Sequence, residues 1–290
     1  MPEPAGGPVE WRTEDEFEID GVAYACRPIH DFFESTPERF CLRKPPRLVR
    51  RLERLIRESQ VRNIVELGIF EGGSTGFIAQ ASRPERLLCF DVEPRREALG
   101  TMLRAKGLER TVRPHWEVDQ ADGKRLLSIV RDALGETPLD LVIDDASHLL
   151  GPTRASFNAL FPLLRPGGTY LIEDWAWAHG ITNAWPWETP LSVLVFELVL
   201  ANAHRPEAIE RVDVDRDWTL VTRGPRDLDA SFDLLEHCGE RGRALLPPPG
   251  AAADPELAPG RRAAARKPAI SRARSRLGRR SRRPGGSDVG

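Results

Sequence analysis

The stretch Asn63-Ile-Val-Glu-Leu67-Gly68-Ile-Phe-Glu-Gly72-Gly73-Ser74-Thr75 decides how the chain is read. Its first five residues are short, largely apolar and free of breakers, as a buried strand requires. Three glycines follow, and residues 74–81 then read as a helix. Glycines at a strand end let the backbone turn sharply and approach a ligand, while the helix N-terminus offers unpaired N–H groups. The spacing is not Gly-x-Gly-x-x-Gly, which weakens a dinucleotide reading. An ordinary strand-to-helix turn is the plain alternative.

Outward from this stretch the pattern alternates. Further strands are expected at 87–90, 111–118, 139–143 and 170–172, with closing strands at 212–214 and 218–221. Helices are expected at 95–105, 124–134, 153–164 and 191–203, the third stopped by Pro166-Gly167-Gly168. Such alternation implies right-handed crossovers. The expected fold is α/β: a Rossmann-like, doubly wound, mostly parallel seven-stranded sheet with helices on both faces. Upstream, Leu48, Val49, Leu52, Leu55 and Ile56 recur at helical spacing after Pro45-Pro46. Residues 1–45 read as a short accessory segment with a hairpin at Asp20-Gly21, a pair that tolerates positive φ. Residues 46–240 read as the core domain. Residues 241–290 are rich in Pro, Ala and Arg and poor in large apolar side chains, and so are expected to be a disordered basic tail.

Of the 290 residues, 40% are hydrophobic and 30% charged, which suits a packed core. No run approaches the roughly 18 apolar residues of a membrane helix. The acidic N-terminus lacks a secretory pattern. No membrane partner is therefore expected, and the location is expected to be cytoplasmic. Cys26, Cys41, Cys89 and Cys238 lie far apart, without paired spacing. The net charge of −2 hides an asymmetry. Arg261–Gly290 holds 11 of the 42 bases and one of the 44 acids, leaving 31 bases against 43 acids elsewhere. An acidic body makes nucleic acid an unlikely partner, because phosphate binding needs a basic face. The sequence leaves open whether copies associate as a homo-oligomer.

Three acidic positions follow strand ends. Asp91 ends the second strand, where a carboxylate can accept both ribose hydroxyls; capping the next helix is its plain alternative. Asp144-Asp145-Ala146-Ser147-His148 ends one strand and Glu173-Asp174 the next. Four carboxylates and an imidazole gathered there would need a cation, and Mg²⁺ prefers such oxygen ligands. The alternative is that they cap helices and face water. Four of the seven tryptophans, Trp175, Trp177, Trp185 and Trp187, follow at once, with His179 among them. Indole faces suit sugar rings or flat aglycones, and equally a packed cover.

Glu66-x-Gly68-x-x-x-Gly72-Gly73-Ser74, then Asp144-Asp145-x-Ser147-His148, then Arg165-Pro-Gly-Gly-x-Tyr170-x-Ile-Glu173-Asp174 together resemble the class I S-adenosylmethionine-dependent methyltransferases. Within that class the chain is similar to the metal-dependent O-methyltransferases of antibiotic biosynthesis, among them the macrolide-sugar enzymes and the proteins labelled cephalosporin hydroxylase. The resemblance spans about residues 60–175. It implies that Glu66, Gly68, Gly72 and Ser74 line the methionine end of S-adenosyl-L-methionine, that Asp91 binds its ribose, and that Asp119 and Gln120 lie near adenine. It further implies that Asp144 borders cofactor and metal, that Asp145, Glu173 and Asp174 hold Mg²⁺, and that His148 is the general base. Trp175, Trp177 and His179 become candidate contacts to a small hydroxylated acceptor. Ala146 stands where relatives often carry glycine.

The implied activity is methyl transfer to a hydroxyl of a sugar or polyketide-type natural product. An NAD-dependent oxidoreductase and a metal-independent methyltransferase on the same fold are the competing readings. An iron hydroxylase would want two histidines and a carboxylate, and only His148 lies in the motif region.

Overall fold

The computed structural model describes residues 6–28, 31–179 and 189–246. Near the N-terminus, β1 (Glu10–Trp11), β2 (Glu16–Ile19), β3 (Val22–Cys26) and β4 (Arg39–Leu42) form a four-stranded sheet in that order. β2 and β3 pair antiparallel with Ile19 opposite Val22. Between them Asp20 and Gly21 have φ of 49° and 76°, the left-handed pair of a two-residue hairpin turn. Phe17, Ile19, Tyr24 and Phe40 of this sheet are buried in one cluster with Phe77 and Ile78. Helix α1 (Pro46–Glu58) follows. Its proline in the first turn forgoes only an N–H that would lack a helical partner, and it buries Leu48, Val49, Leu52 and Ile56.

The main sheet is built from β5 (Asn63–Leu67), β6 (Arg86–Asp91), β7 (Val112–Trp116), β8 (Leu139–Asp144), β9 (Leu164–Glu173), β10 (Ile209–Val214) and β11 (Trp218–Arg223). Its helices are α2 (Gly73–Ser82), α3 (Glu97–Ala105), α4 (Gly123–Leu134), α5 (Leu150–Leu160) and α6 (Ser192–His204), with short α7 (Leu234–His237) and α8 (Gly239–Arg243) closing the described chain. The strand order is β10-β11-β9-β8-β5-β6-β7. β5 to β9 run parallel, while β11 pairs antiparallel with both β9 and β10. The expected doubly wound, mostly parallel seven-stranded sheet is what forms.

Alternation along the central strands separates two cores. Ile64, Leu87, Cys89, Leu141 and Ile143 pack with side chains of α1, α2 and α3. Val65, Leu67, Leu88, Phe90 and Val142 pack with side chains of α4, α5 and α6. Every residue of β5 is buried, as a central parallel strand demands. The strand order reverses between β5 and β8, so their C-terminal ends part into a crevice, the usual ligand position in such sheets.

One boundary differs from expectation. The helix before β9 ends at Leu160 in a 3₁₀ turn over Phe161–Leu163, and Pro166-Gly167-Gly168 lies inside β9. Pro162 has no N–H to continue the helix and stops it earlier. The extra residues are absorbed as a register shift, with Leu139 opposite Leu164 and Leu141 opposite Thr169. Among the described residues, no helix is long and apolar enough to cross a membrane.

Candidate active site

The glycine loop sits at the crevice. Gly68 has φ of +96°, and a Cβ there would lie 2.2 Å from the carbonyl oxygen of Asp145. Only glycine allows both the left-handed backbone and this approach. Gly72, at φ +86°, is the capping residue just before α2. A Cβ on Gly73 would meet the Cys41 carbonyl oxygen at 2.3 Å, so β4 presses on the loop from the other side. Below it Glu66 is buried and accepts from Thr75 Oγ1 at 2.6 Å. Burial pushes its carboxyl up to about 7, against hydrogen bonds from Ser74 and Thr75 that pull it down.

Asp91 clasps this loop. Its Oδ2 accepts the N–H groups of Ile69 and Phe70 at 2.8 and 2.7 Å, and its Oδ1 accepts that of Glu93 at 2.8 Å. Three of roughly four acceptor positions on the carboxylate are thus used by backbone. Asp119 is exposed and accepts from the Ala121 N–H, a turn contact. Gln120 is buried. Its amide nitrogen reaches both oxygens of Asp144 at 2.6 Å and Ser156 Oγ at 3.1 Å, and its oxygen accepts from the Ser147 N–H. Asp144, 2% exposed, also accepts from Tyr170 Oη at 2.8 Å and Ser156 Oγ at 3.0 Å. Burial raises its carboxyl to about 6, with these donors pulling down. The four expected carboxylates therefore do not all converge. Adjacent strand-end residues point to opposite faces, and Asp144 turns into a satisfied network on the α5 side.

The other acids do meet, around a residue absent from every motif. Lys44, just before α1, is 5% exposed. Its Nζ donates to Asp145 Oδ2 at 2.6 Å and to Glu173 Oε2 at 2.7 Å. Burial would lower the Lys44 ammonium, but its two carboxylate partners outweigh that and hold it protonated. Burial likewise raises Asp145, but Lys44 and His148 bring it below the usual carboxylate range. Burial pushes Glu173 up, with Lys44 pulling against it. Among the described residues, Glu173 Oε1 is buried with no hydrogen-bond partner.

Beside this pair, His148 Nε2 lies 3.7 Å from Asp145 Oδ1. Asp145, His148 and Asp174 each offer a ligand atom, all within 4.8 Å of one another. His148 and Asp174 have φ of 55° and 53°, rare for non-glycine residues and concentrated at functional sites. Burial and the nearby Asp145 raise the Asp174 carboxyl. Two carboxylates, with a buried carboxylate oxygen that has no donor among the described residues, suit a hard divalent cation, and the imidazole stands beside them.

The indole N–H of Trp175 donates to the Asp215 carbonyl at 2.6 Å and that of Trp177 to the His148 carbonyl at 3.1 Å. His179 is exposed, with Nε2 2.9 Å from Ser192 Oγ. Trp177 thus borders the cluster directly, whereas Trp175 packs on the second core. Trp185 and Trp187 lie outside the described residues. Sequence reasoning missed Lys44. Its sole local signal was a base next to Pro45-Pro46, and 101 positions separate it from Asp145.

The fold and the switch-point loop define a doubly wound α/β domain with a glycine loop at the end of β5. More narrowly, residues 65–175 match the family described as a methyltransferase domain, and the resemblance of the three motifs holds over that segment. A tetracenomycin-C rhamnosyl 2'-O-methyltransferase of Streptomyces olivaceus is 40% identical over 88 residues, covering 30% of this chain and 21% of that protein. The mycinamicin VI 2''-O-methyltransferase of Micromonospora griseorubida is 48% identical over 68 residues, covering 23% and 15%. Among solved structures, the mycinamycin-pathway methyltransferase MycE in complex with Mg and SAH aligns at TM-score 0.46 and 27% identity, over 62% of this chain and 49% of that one. The matched segments span about a fifth or less of these two curated relatives.

Proposed function

We propose that the chain is an S-adenosyl-L-methionine-dependent O-methyltransferase acting, with Mg²⁺, on a hydroxyl of a small sugar-bearing or polyketide-type natural product. One observation carries this reading: at the switch point the glycine loop is in backbone contact with the loop that bears Asp145 and His148, and Asp174 joins them. A cofactor held over the glycine loop would present its methyl group toward that cluster. The methyltransferase-domain match over residues 65–175 and the two O-methyltransferase relatives support the same chemistry.

In this reading Gly68, Gly72 and Ser74 give the methionine end its close backbone approach, with Glu66 beneath them. Asp91 fixes the loop and offers its remaining acceptor position to the ribose. Asp119 and Gln120 sit at the adenine end, and Gln120 also holds Asp144 and so the shape of the β8 terminus. Asp145 and Asp174 would hold a divalent ion, which supplies positive charge that lowers the pKa of an alcohol. Trp177, with Trp175 and His179 further out, is the candidate acceptor wall. His148 takes the hydroxyl proton, and Asp145 beside it stabilises the imidazolium. The oxygen attacks the methyl carbon in line, and the S–C bonding pair stays on sulfur. Positioning of the two reactants supplies much of the remaining acceleration. The four cysteines, all free and buried, fit a reducing cytoplasm.

The test is direct. The full chain is incubated with S-adenosyl-L-methionine, Mg²⁺ and a panel of deoxysugar glycosides. The reading expects an acceptor gaining one CH₂ in mass and an equal yield of S-adenosylhomocysteine. Methyl transfer to nitrogen or carbon acceptors alone would overturn it.

A further inference from the structure

Arg43 stands between two residues that fix its place. Leu42 before it lies against α2: a Cβ on Gly73 would come 3.1 Å from the Leu42 Cα. Lys44 after it donates to Asp145. Arg43 therefore sits between the start of α2 and the acidic loop. Its guanidinium carbon lies 4.9 Å from the centroid of the Phe70 ring. Phe70 belongs to the glycine loop, with its N–H held by Asp91, and its ring packs edge-on against Phe32.

The guanidinium lacks an acceptor. Arg27, Arg39, Arg47 and Arg51, from the same stretch of chain, each pair with a carboxylate. Arg43 is half-buried, yet among the described residues it forms no hydrogen bond and no ion pair, and its Nε is buried without a partner. A guanidinium carries five N–H donors and stays charged, so partial burial without an anion is unfavourable.

We propose that Arg43 anchors the cofactor by pairing with the α-carboxylate of its methionyl group. This rests on the methyltransferase reading above. That carboxylate is the sole anionic group of S-adenosyl-L-methionine, and in that reading the methionyl end lies along Gly68, Gly72 and Ser74, the loop over which Arg43 is stacked. A carboxylate accepts two parallel N–H groups from a guanidinium, which fixes orientation as well as attraction. The ring of Phe70 meets the guanidinium through its flat face and leaves the N–H groups at its edge to donate. The segment joining β4 to α1 thereby completes a cofactor site whose other residues come from the main sheet.

The experiment is titration calorimetry of the full chain with S-adenosylhomocysteine and with its decarboxylated analogue, S-adenosyl-3-thiopropylamine. The unsubstituted chain binds the analogue about 10–100-fold more weakly, the usual worth of hydrogen bonds to a charged group. Arg43→Met weakens S-adenosylhomocysteine by a similar factor and changes the analogue by less than about threefold. The proposal falls if Arg43→Met leaves S-adenosylhomocysteine affinity unchanged, or if it weakens both ligands equally, as a merely structural role would. Should Arg43→Met fail to fold, Arg43→Lys decides. Loss of the bidentate fork weakens S-adenosylhomocysteine by about threefold or more and spares the analogue; no difference between the ligands overturns the proposal. A chain that binds neither ligand sinks the methyltransferase reading itself. Binding of S-adenosylhomocysteine that ignores Arg43 leaves that reading standing and removes only the anchor.

Discussion

Gly68 and Asp145 are in backbone contact: a methyl group on the Gly68 Cα would come within 2.2 Å of the Asp145 carbonyl oxygen. The Asp145 N–H in turn donates to the Leu67 carbonyl at 2.9 Å. The cofactor-type loop and the acidic loop are thus one mechanical unit, with no side chain between them.

Gly68→Ala therefore strains the backbone and drives apart the ends of β5 and β8. We expect a loss of roughly 2–4 kcal/mol in denaturant unfolding, from a left-handed residue and a clash that only backbone movement relieves. Gly107→Ala, just past the end of α3, is the control, with φ of +65° and no atom within 4 Å of the new carbon. It should cost about 1–2 kcal/mol, the conformational part alone. Equal losses would mean that the contact with Asp145 is unimportant.

Glu66 makes stability depend on pH. Its carboxyl is raised from 4.5 to about 7 by burial. A raised carboxyl binds its proton more tightly folded than unfolded, so its contribution is complete below pH 4.5 and disappears as the pH rises through 7. The difference is on the order of 3 kcal/mol. Glu66→Gln cannot ionise and should flatten this decline. Urea denaturation at pH 5 and pH 8 checks it, and identical pH dependence in both proteins would refute the assignment.

His148→Ala should slow methyl transfer by about 10²–10⁴-fold, the usual worth of a general base. Affinity for S-adenosylhomocysteine should stay unchanged. Loss of cofactor binding with preserved turnover per bound cofactor would show that the imidazole does not handle the proton.

Chelation tests the acidic cluster. Activity should fall in EDTA and return with Mg²⁺, and Asp145→Ala should behave like the chelated protein at any Mg²⁺ concentration. Full turnover in chelator would remove the ion from the account.

The parts of this arrangement that could be read from the sequence are those that follow local rules. Asn63–Leu67 and the glycines after it announced a strand, a turn and a helix, because backbone sterics act between neighbours. Asp20-Gly21 announced its turn for the same reason. The end of α5 was legible at Pro162, yet Pro166-Gly167-Gly168 drew attention away from it. That all four acids would converge was not to be had from their positions at strand ends, because the two-residue period sends the adjacent side chains of Asp144 and Asp145 to opposite faces. Lys44 had no local signature. Its role comes from packing of β4 and α1 against the sheet, which no spacing within residues 39–58 reveals.

Titration calorimetry of the full chain with S-adenosylhomocysteine, and separately with NAD⁺, tests the central claim most directly. The account predicts saturable binding of the first, one molecule per chain, weakened sharply by Gly68→Ala, and no binding of the second. Binding of NAD⁺ without S-adenosylhomocysteine would contradict it.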